Sequence, residues 1–200
     1  MIAHREGDIE WQEADDAYRP RHTETRRVLE GLLGAGALRF RPGRDVVVLQ
    51  HAAWIDLRRH LAAKLQVEQG GLLIGRAFSD SLHGGWLVVV DEALPAEEAE
   101  ETLVSVEWTP KSWEKMLPRL KTMTAETTIV GSYHSHPGHG VYLSELDLET
   151  QRGLFPEPWQ IALVVDPVRD EGGVFLGEQG KRCPDWCVAC RPDTKAEKSR

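Results

Sequence analysis

What this 200-residue chain lacks narrows it first. No apolar run approaches the roughly 18 residues that a membrane-spanning helix needs. Nor does the opening stretch, MIAHREGDIEWQEADD, contain the roughly 7–15 apolar residues of a secretory signal. The expectation is a soluble protein of the cytoplasm with no membrane partner. Basic residues are in the minority: 24 Lys and Arg stand against 32 Asp and Glu, a net charge of −8. Displacing counterions from nucleic acid takes the opposite balance, which argues against a nucleic-acid surface; a protein partner with a basic face fits better. Cysteine is scarce as well. Cys183, Cys187 and Cys190 are the only three and fall within eight residues of one another. An odd, clustered set in a cytosolic chain argues against a disulfide framework. Their C-x3-C-x2-C spacing leaves two readings open: a thiolate metal site short of its fourth ligand, or a reduced, partly exposed tail. Internal repeats are absent too.

What is present is the composition of a globular protein, 41% hydrophobic and 28% charged. The length suits one domain with an extra arm. Residues 1–44 read as that arm, partly helical or flexible, with a helix predicted from Thr23 to Leu33 and closed by the glycines of GLLGAGALRF. Residues 45–181 read as the domain proper, and 182–200 as the cysteine-bearing tail. Within the domain, DVVVLQ is a short strand, and His51–Gln66 places Trp54, Leu57, Leu61 and Leu65 on one helical face. GGLLIGRAF, WLVVVDEAL and TLVSVEW then suggest an antiparallel meander of three strands. Thr109 and Pro110 open a further helix as N-cap and first-turn proline, which Pro118 is expected to kink or end early. TTIVGSYHSH reads as a strand, SELDLETQRGLF as a helix, and WQIALVVDP and GGVFLGEQG as two more strands. Strands and helices interleave without a regular repeat, so the fold class is α+β or mixed α/β: one central, mostly antiparallel sheet flanked by helices.

The chemistry concentrates in GSYHSHPGHGVYLSELD, residues 131–147. Side chains alternate along a strand, so His134 and His136 point to one side and two imidazoles can meet one cation. Asp147 follows after ten intervening residues, across a Pro- and Gly-bearing loop able to fold the next helix back over the strand end. Two histidines and one carboxylate, with a fourth position left for water, are the donor set of catalytic rather than structural zinc. Such a hydrolase needs a carboxylate to take a proton and pass it to the leaving nitrogen. Glu68, just ahead of the glycines of GGLLIG, is the candidate, and Ser144 could donate a hydrogen bond to the developing oxyanion.

These residues carry a family resemblance. E-x-x-G-x-L-x-G from Glu68 to Gly75, then H-S-H-P, with seven residues between the second His and a Ser, and S-x-x-D, resembles the motif of the JAMM (MPN-plus) zinc metalloprotease family, bacterial type, at every position. The similarity in element order runs from about Asp45 to Gly180. It implies an MPN/JAMM-like fold with a single zinc site at a strand end. It further implies His134, His136 and Asp147 as ligands of one Zn2+, Glu68 as general acid/base and Ser144 as the oxyanion-stabilising serine. By the same resemblance the activity is that of an isopeptidase or peptidase. It would cut the amide after the C-terminal Gly-Gly of a ubiquitin-like or sulfur-carrier protein, with conjugation-pathway enzymes as further partners. Two other readings are a non-catalytic scaffold of the same fold and a DNA-repair-associated relative, the latter disfavoured by the acidic charge.

Plainer readings attach to single residues. Ser144 also suits a helix N-cap with Asp147 at the third helical position. His139, out of register with the pair, reads as exposed or substrate-facing. His51, His60 and His83 have no patterned partners, and Trp54, Trp108, Trp113 and Trp159 read as packing residues. The acidic run from Glu97 to Glu101 reads as a solvated connection that could also meet a basic partner.

Overall fold

The protein is described from a computed structural model, which covers residues 18–97, 100–101 and 106–189. In chain order its elements are β1 (Arg21–Thr23), α1 (Thr25–Leu33), a 3-10 turn (Gly34–Arg39), β2 (Val46–Leu49), α2 (His51–Leu61), β3 (Gly70–Asp80) and β4 (Trp86–Pro95). There follow β5 (Glu100–Glu101), β6 (Val106–Glu107), α3 (Pro110–Leu120), β7 (Thr128–Ser135), α4 (Glu145–Leu154), β8 (Ile161–Asp166), β9 (Glu171–Leu176), β10 (Lys181–Cys183) and β11 (Trp186–Val188).

One sheet organises the described residues, in the order β10-β9-β8-β7-β3-β4-β2-β11, with β1 paired to the far end of β3. Its pairings are mixed rather than mostly antiparallel: β1–β3, β11–β2, β2–β4 and β7–β8 run parallel. The β7–β8 pairing is parallel because α4 carries the chain back across the sheet, which a tight hairpin cannot do.

Strand alternation sorts the core onto two faces. Val47, Leu49, Leu73, Val88, Val90, Tyr133, Leu163 and Val165 meet α2 through Ala53, Leu57 and Leu61. On the opposite face, α1 covers Val46, Val48, Phe78 and Val89 through Leu29, while α3 covers Leu72 through Trp113 and Met116. The packed tryptophans fit the sequence reading, since Trp113 and Trp159 are buried.

Several boundaries differ from expectation. The described part of the arm belongs to the fold: α1 buries Leu29, and Tyr18 packs against the α2-side core. At the other end, β10 and β11 extend the sheet past residue 181, so Cys183 and Cys187 are buried rather than exposed. The two thiols join different core clusters, on opposite faces, and cannot share a metal; Cys190 lies outside the described residues. Helix α2 stops at Leu61, where the Gln69 side chain accepts the Lys64 N–H at 3.0 Å, leaving Leu65 exposed. Among the described residues the meander has two strands in the main sheet; of the expected third, TLVSVEW, residues 102–105 lie outside the described residues, and Val106–Glu107 pairs with β5 in a separate two-stranded sheet. Thr109 does cap α3, accepting the Ser112 N–H, but the helix runs past Pro118 to Leu120.

Candidate metal centre

The site forms where β3, β7 and α4 meet. His134 sits opposite Gly70 on one side and Val164 on the other, so its side chain rises from the α4 face of the sheet. That parity depends on a bulge. Register shifts between Leu73 and Ile74 leave Val130 as an extra residue in β7. Its neighbour Gly131 has φ 146°, with a would-be Cβ 1.9 Å from the Ile161 carbonyl; only glycine fits there. β7 ends at Ser135, yet His136 keeps the extended course because its N–H donates to Val165 O at 2.9 Å.

The two imidazoles converge, Nε2 to Nε2 at 3.1 Å. Asp147, on the first turn of α4, brings Oδ1 to 3.4 Å from His134 Nε2 and Oδ2 to 3.6 Å from His136 Nε2. Ligands held about 2.0–2.1 Å from a tetrahedral zinc stand roughly 3.3 Å apart. The observed edges bracket that value, so these residues fit a single divalent ion. Among the described residues this is the one His/Cys/Asp/Glu group suited to a metal.

Glu68 lies in the loop before β3, 4% exposed, with Oε1 3.6 Å from His136 Nε2. Its Oε2 is buried without a hydrogen-bond partner. Leaving a buried acceptor unmet costs about 1–3 kcal/mol, a cost consistent with a group awaiting a proton or a water. Burial pushes the Glu68 carboxyl up, against the pull of the His136 and His134 charges. Burial would raise Asp147 also, but its hydrogen bonds with His134 and His136 dominate and hold it well below the usual carboxylate range. For His136, burial lowers the imidazole, while Asp147 and Glu68 outweigh it and raise it.

Ser144 is the N-cap of α4. Its Oγ accepts the Asp147 N–H at 3.2 Å and donates to Asp147 Oδ2 at 2.7 Å, while Ser144 N donates to the same oxygen at 2.7 Å. This reciprocal box fixes the rotamer of Asp147, and the serine proton is engaged by that carboxylate. His139 is exposed and forms no part of the triad.

Some contributors were not evident in sequence. Ser135, fully buried, accepts the Gln69 N–H at 3.0 Å and so clamps the residue after Glu68. Tyr142 packs against His136 with ring centroids 4.7 Å apart and the rings inclined at 51°. A cavity of about 30 Å³ beside His134 and Asp147 is lined by Gly70, Trp108, Thr150 and Gln151. The carboxylate of Asp166 gathers the loop after His136. Of these only Asp166 left a trace, an Asp at a strand end ahead of Pro167, which favours a turn in which the side chain accepts backbone N–H groups.

The family model described as prokaryotic homologs of the JAB domain matches residues 50–175. The ubiquitin carboxyl-terminal hydrolase RPN11 of Saccharomyces cerevisiae is 32% identical over 133 residues, 65% of this chain and 41% of that one. COP9 signalosome complex subunit 5 of Eremothecium gossypii is 36% identical over 126 residues, 62% of this chain and 28% of that one. The chain therefore spans less than half the length of these curated relatives. In fold it is similar to the solution structure of protein DSY2949 from Desulfitobacterium hafniense, with a TM-score of 0.55 at 18% identity over 74% of this chain and 96% of that one.

Proposed function

Because the chain belongs to the JAMM/MPN family, within the prokaryotic homologs of the JAB domain, we propose that it is a zinc-dependent isopeptidase or peptidase. Its substrate would be the amide bond after the C-terminal Gly-Gly of a ubiquitin-like or sulfur-carrier protein. The observation that carries this reading is the convergence of His134, His136 and Asp147 beside the unpartnered carboxylate oxygen of Glu68. One relative, named a ubiquitin carboxyl-terminal hydrolase, supports a ubiquitin-like substrate.

His134, His136 and Asp147 would hold the ion. Zinc bound there would lower the pKa of a water to about 7 and polarise the scissile carbonyl. Glu68 takes the proton of the attacking water at a carboxylate oxygen and hands it to the leaving nitrogen; its raised affinity for a proton suits both steps. Ser144 is assigned two tasks. In the resting site it orients Asp147; during attack its hydroxyl turns to the oxyanion, exchanging one acceptor for another.

The test is cleavage of a ubiquitin-like domain fused through Gly-Gly to a lysine side chain or a short peptide. Release is expected, with loss on chelation and in Glu68→Ala. A folded, zinc-loaded protein inert against a broad panel of such fusions would overturn the assignment in favour of a non-catalytic scaffold.

A further inference from the structure

Parallel strands end at the same edge of a sheet. β7 and β8 are parallel, so the chain leaving the ligand-bearing strand at His136 emerges beside the last residue of β8, Asp166. His136 N donates to Val165 O, one residue before it.

Asp166 is completely buried. Its Oδ1 accepts N–H groups from Gly138 at 2.9 Å, Val168 at 3.0 Å and Arg169 at 3.1 Å; Oδ2 accepts Gly140 N–H at 2.8 Å. The bonds to Val168 and Arg169 close the β8–β9 turn, and Oδ1 alone makes both. The bonds to Gly138 and Gly140 cross 28 and 26 residues of sequence to the turn that follows His136. Both glycines have positive φ, 80° and 85°, a conformation open to glycine at little cost, and both direct their N–H groups at this one carboxylate. Tyr142, two residues beyond Gly140, packs against the His136 ring with centroids 4.7 Å apart.

We propose that Asp166 is a positioning residue of the metal centre, its carboxylate fixing the 138–140 turn and through it the orientation of His136. This rests on His134, His136 and Asp147 being the zinc ligands. Burial alone would raise the Asp166 carboxyl, but the N–H groups of Gly138, Gly140, Arg169 and Val168 together outweigh it and hold the pKa below the usual range, so the clamp is charged at neutral pH.

A carboxylate serving only its own turn makes a different prediction, and the molecule supplies a control. Asp80 is also buried and gathers one hydroxyl and two backbone N–H groups, from Thr25, Leu82 and His83. It stands ten residues along β3 from Gly70, the partner of His134, about 30 Å away along the strand. Asp166→Asn and Asp80→Asn are compared with the wild type. The measurements are zinc affinity by competition with a chromophoric chelator, the visible spectrum of the Co2+-substituted protein, and the melting temperature of the metal-free protein. Both variants are expected to melt lower. Asp166→Asn alone should bind zinc about 10–100-fold more weakly, the loss typical of removing a partner that orients a ligand, with an altered Co2+ spectrum. Asp166→Glu, which keeps the charge but displaces it by one methylene, carries the same test should the Asn variant not fold. Wild-type zinc affinity and spectrum in the Asp166 variants would overturn the assignment, as would equal losses in Asp80→Asn. A wild type that binds no zinc would remove the metal reading itself, and this inference with it.

Discussion

Glu68 Oε1 lies 3.6 Å from His136 Nε2, while Glu68 Oε2 is buried with no partner. A carboxylate kept in this state costs stability, and the proposed proton-carrying role of Glu68 would account for it.

Glu68→Gln should therefore separate the two. The shape is preserved, so zinc should still bind and the protein should melt at or above the wild-type temperature. A carboxamide cannot carry the proton, and kcat should fall by about 10²–10⁴ with little change in KM. Kinetics on the Gly-Gly fusion together with metal content check both halves.

Zinc should stabilise the fold. At a thousand-fold excess over Kd a ligand of the native state contributes about 4 kcal/mol, a rise of about 10 °C in Tm for a chain of this size. His134→Ala should abolish the rise. A wild-type melting curve that zinc leaves unmoved would count against the triad.

Tyr18 fills a gap in the edge of β3. Its hydroxyl accepts Ala77 N–H at 3.0 Å and donates to Ala77 O at 3.3 Å, between Gly75, the last β3 residue paired with β7, and Phe78, the first paired with β1. Tyr18→Phe should cost about 1–2 kcal/mol, a fall of several degrees in Tm. Zinc affinity should be unchanged, because the gap lies away from the site.

Acid should unfold the protein partly through Asp80 and Asp166. Burial raises both carboxyls, but the hydrogen bonds they accept outweigh it and leave each pKa lowered. Their contribution is complete above the unfolded value of about 3.9 and is lost as pH falls through the folded value. Asp80→Asn should flatten the fall in denaturant midpoint below about pH 4 while lowering the neutral-pH midpoint.

The site was legible in proportion to how local its geometry is. His134 and His136 share a side because a strand repeats every two residues, and Ser144 and Asp147 meet because a helix brings every third residue together. Those periods are written in the spacing. Glu68 is different: its place before the glycines was visible, but its burial comes from β7 pairing alongside through Ser135 and Gln69. Asp166 left only a turn signal, because two of its four partners are backbone groups more than 25 residues away. Backbone N–H groups have no letter in a sequence.

Residue periodicity and capping chemistry thus determined the donor set, the strand and helix that carry it, and the interleaving of elements. Which strands run parallel, the inclusion of 181–188 in the sheet, the separation of Cys183 from Cys187, and the unpartnered oxygen of Glu68 were decided by tertiary packing. These depend on which distant segments lie side by side, and that is set by burying apolar faces over the whole sheet rather than by any local run of residues.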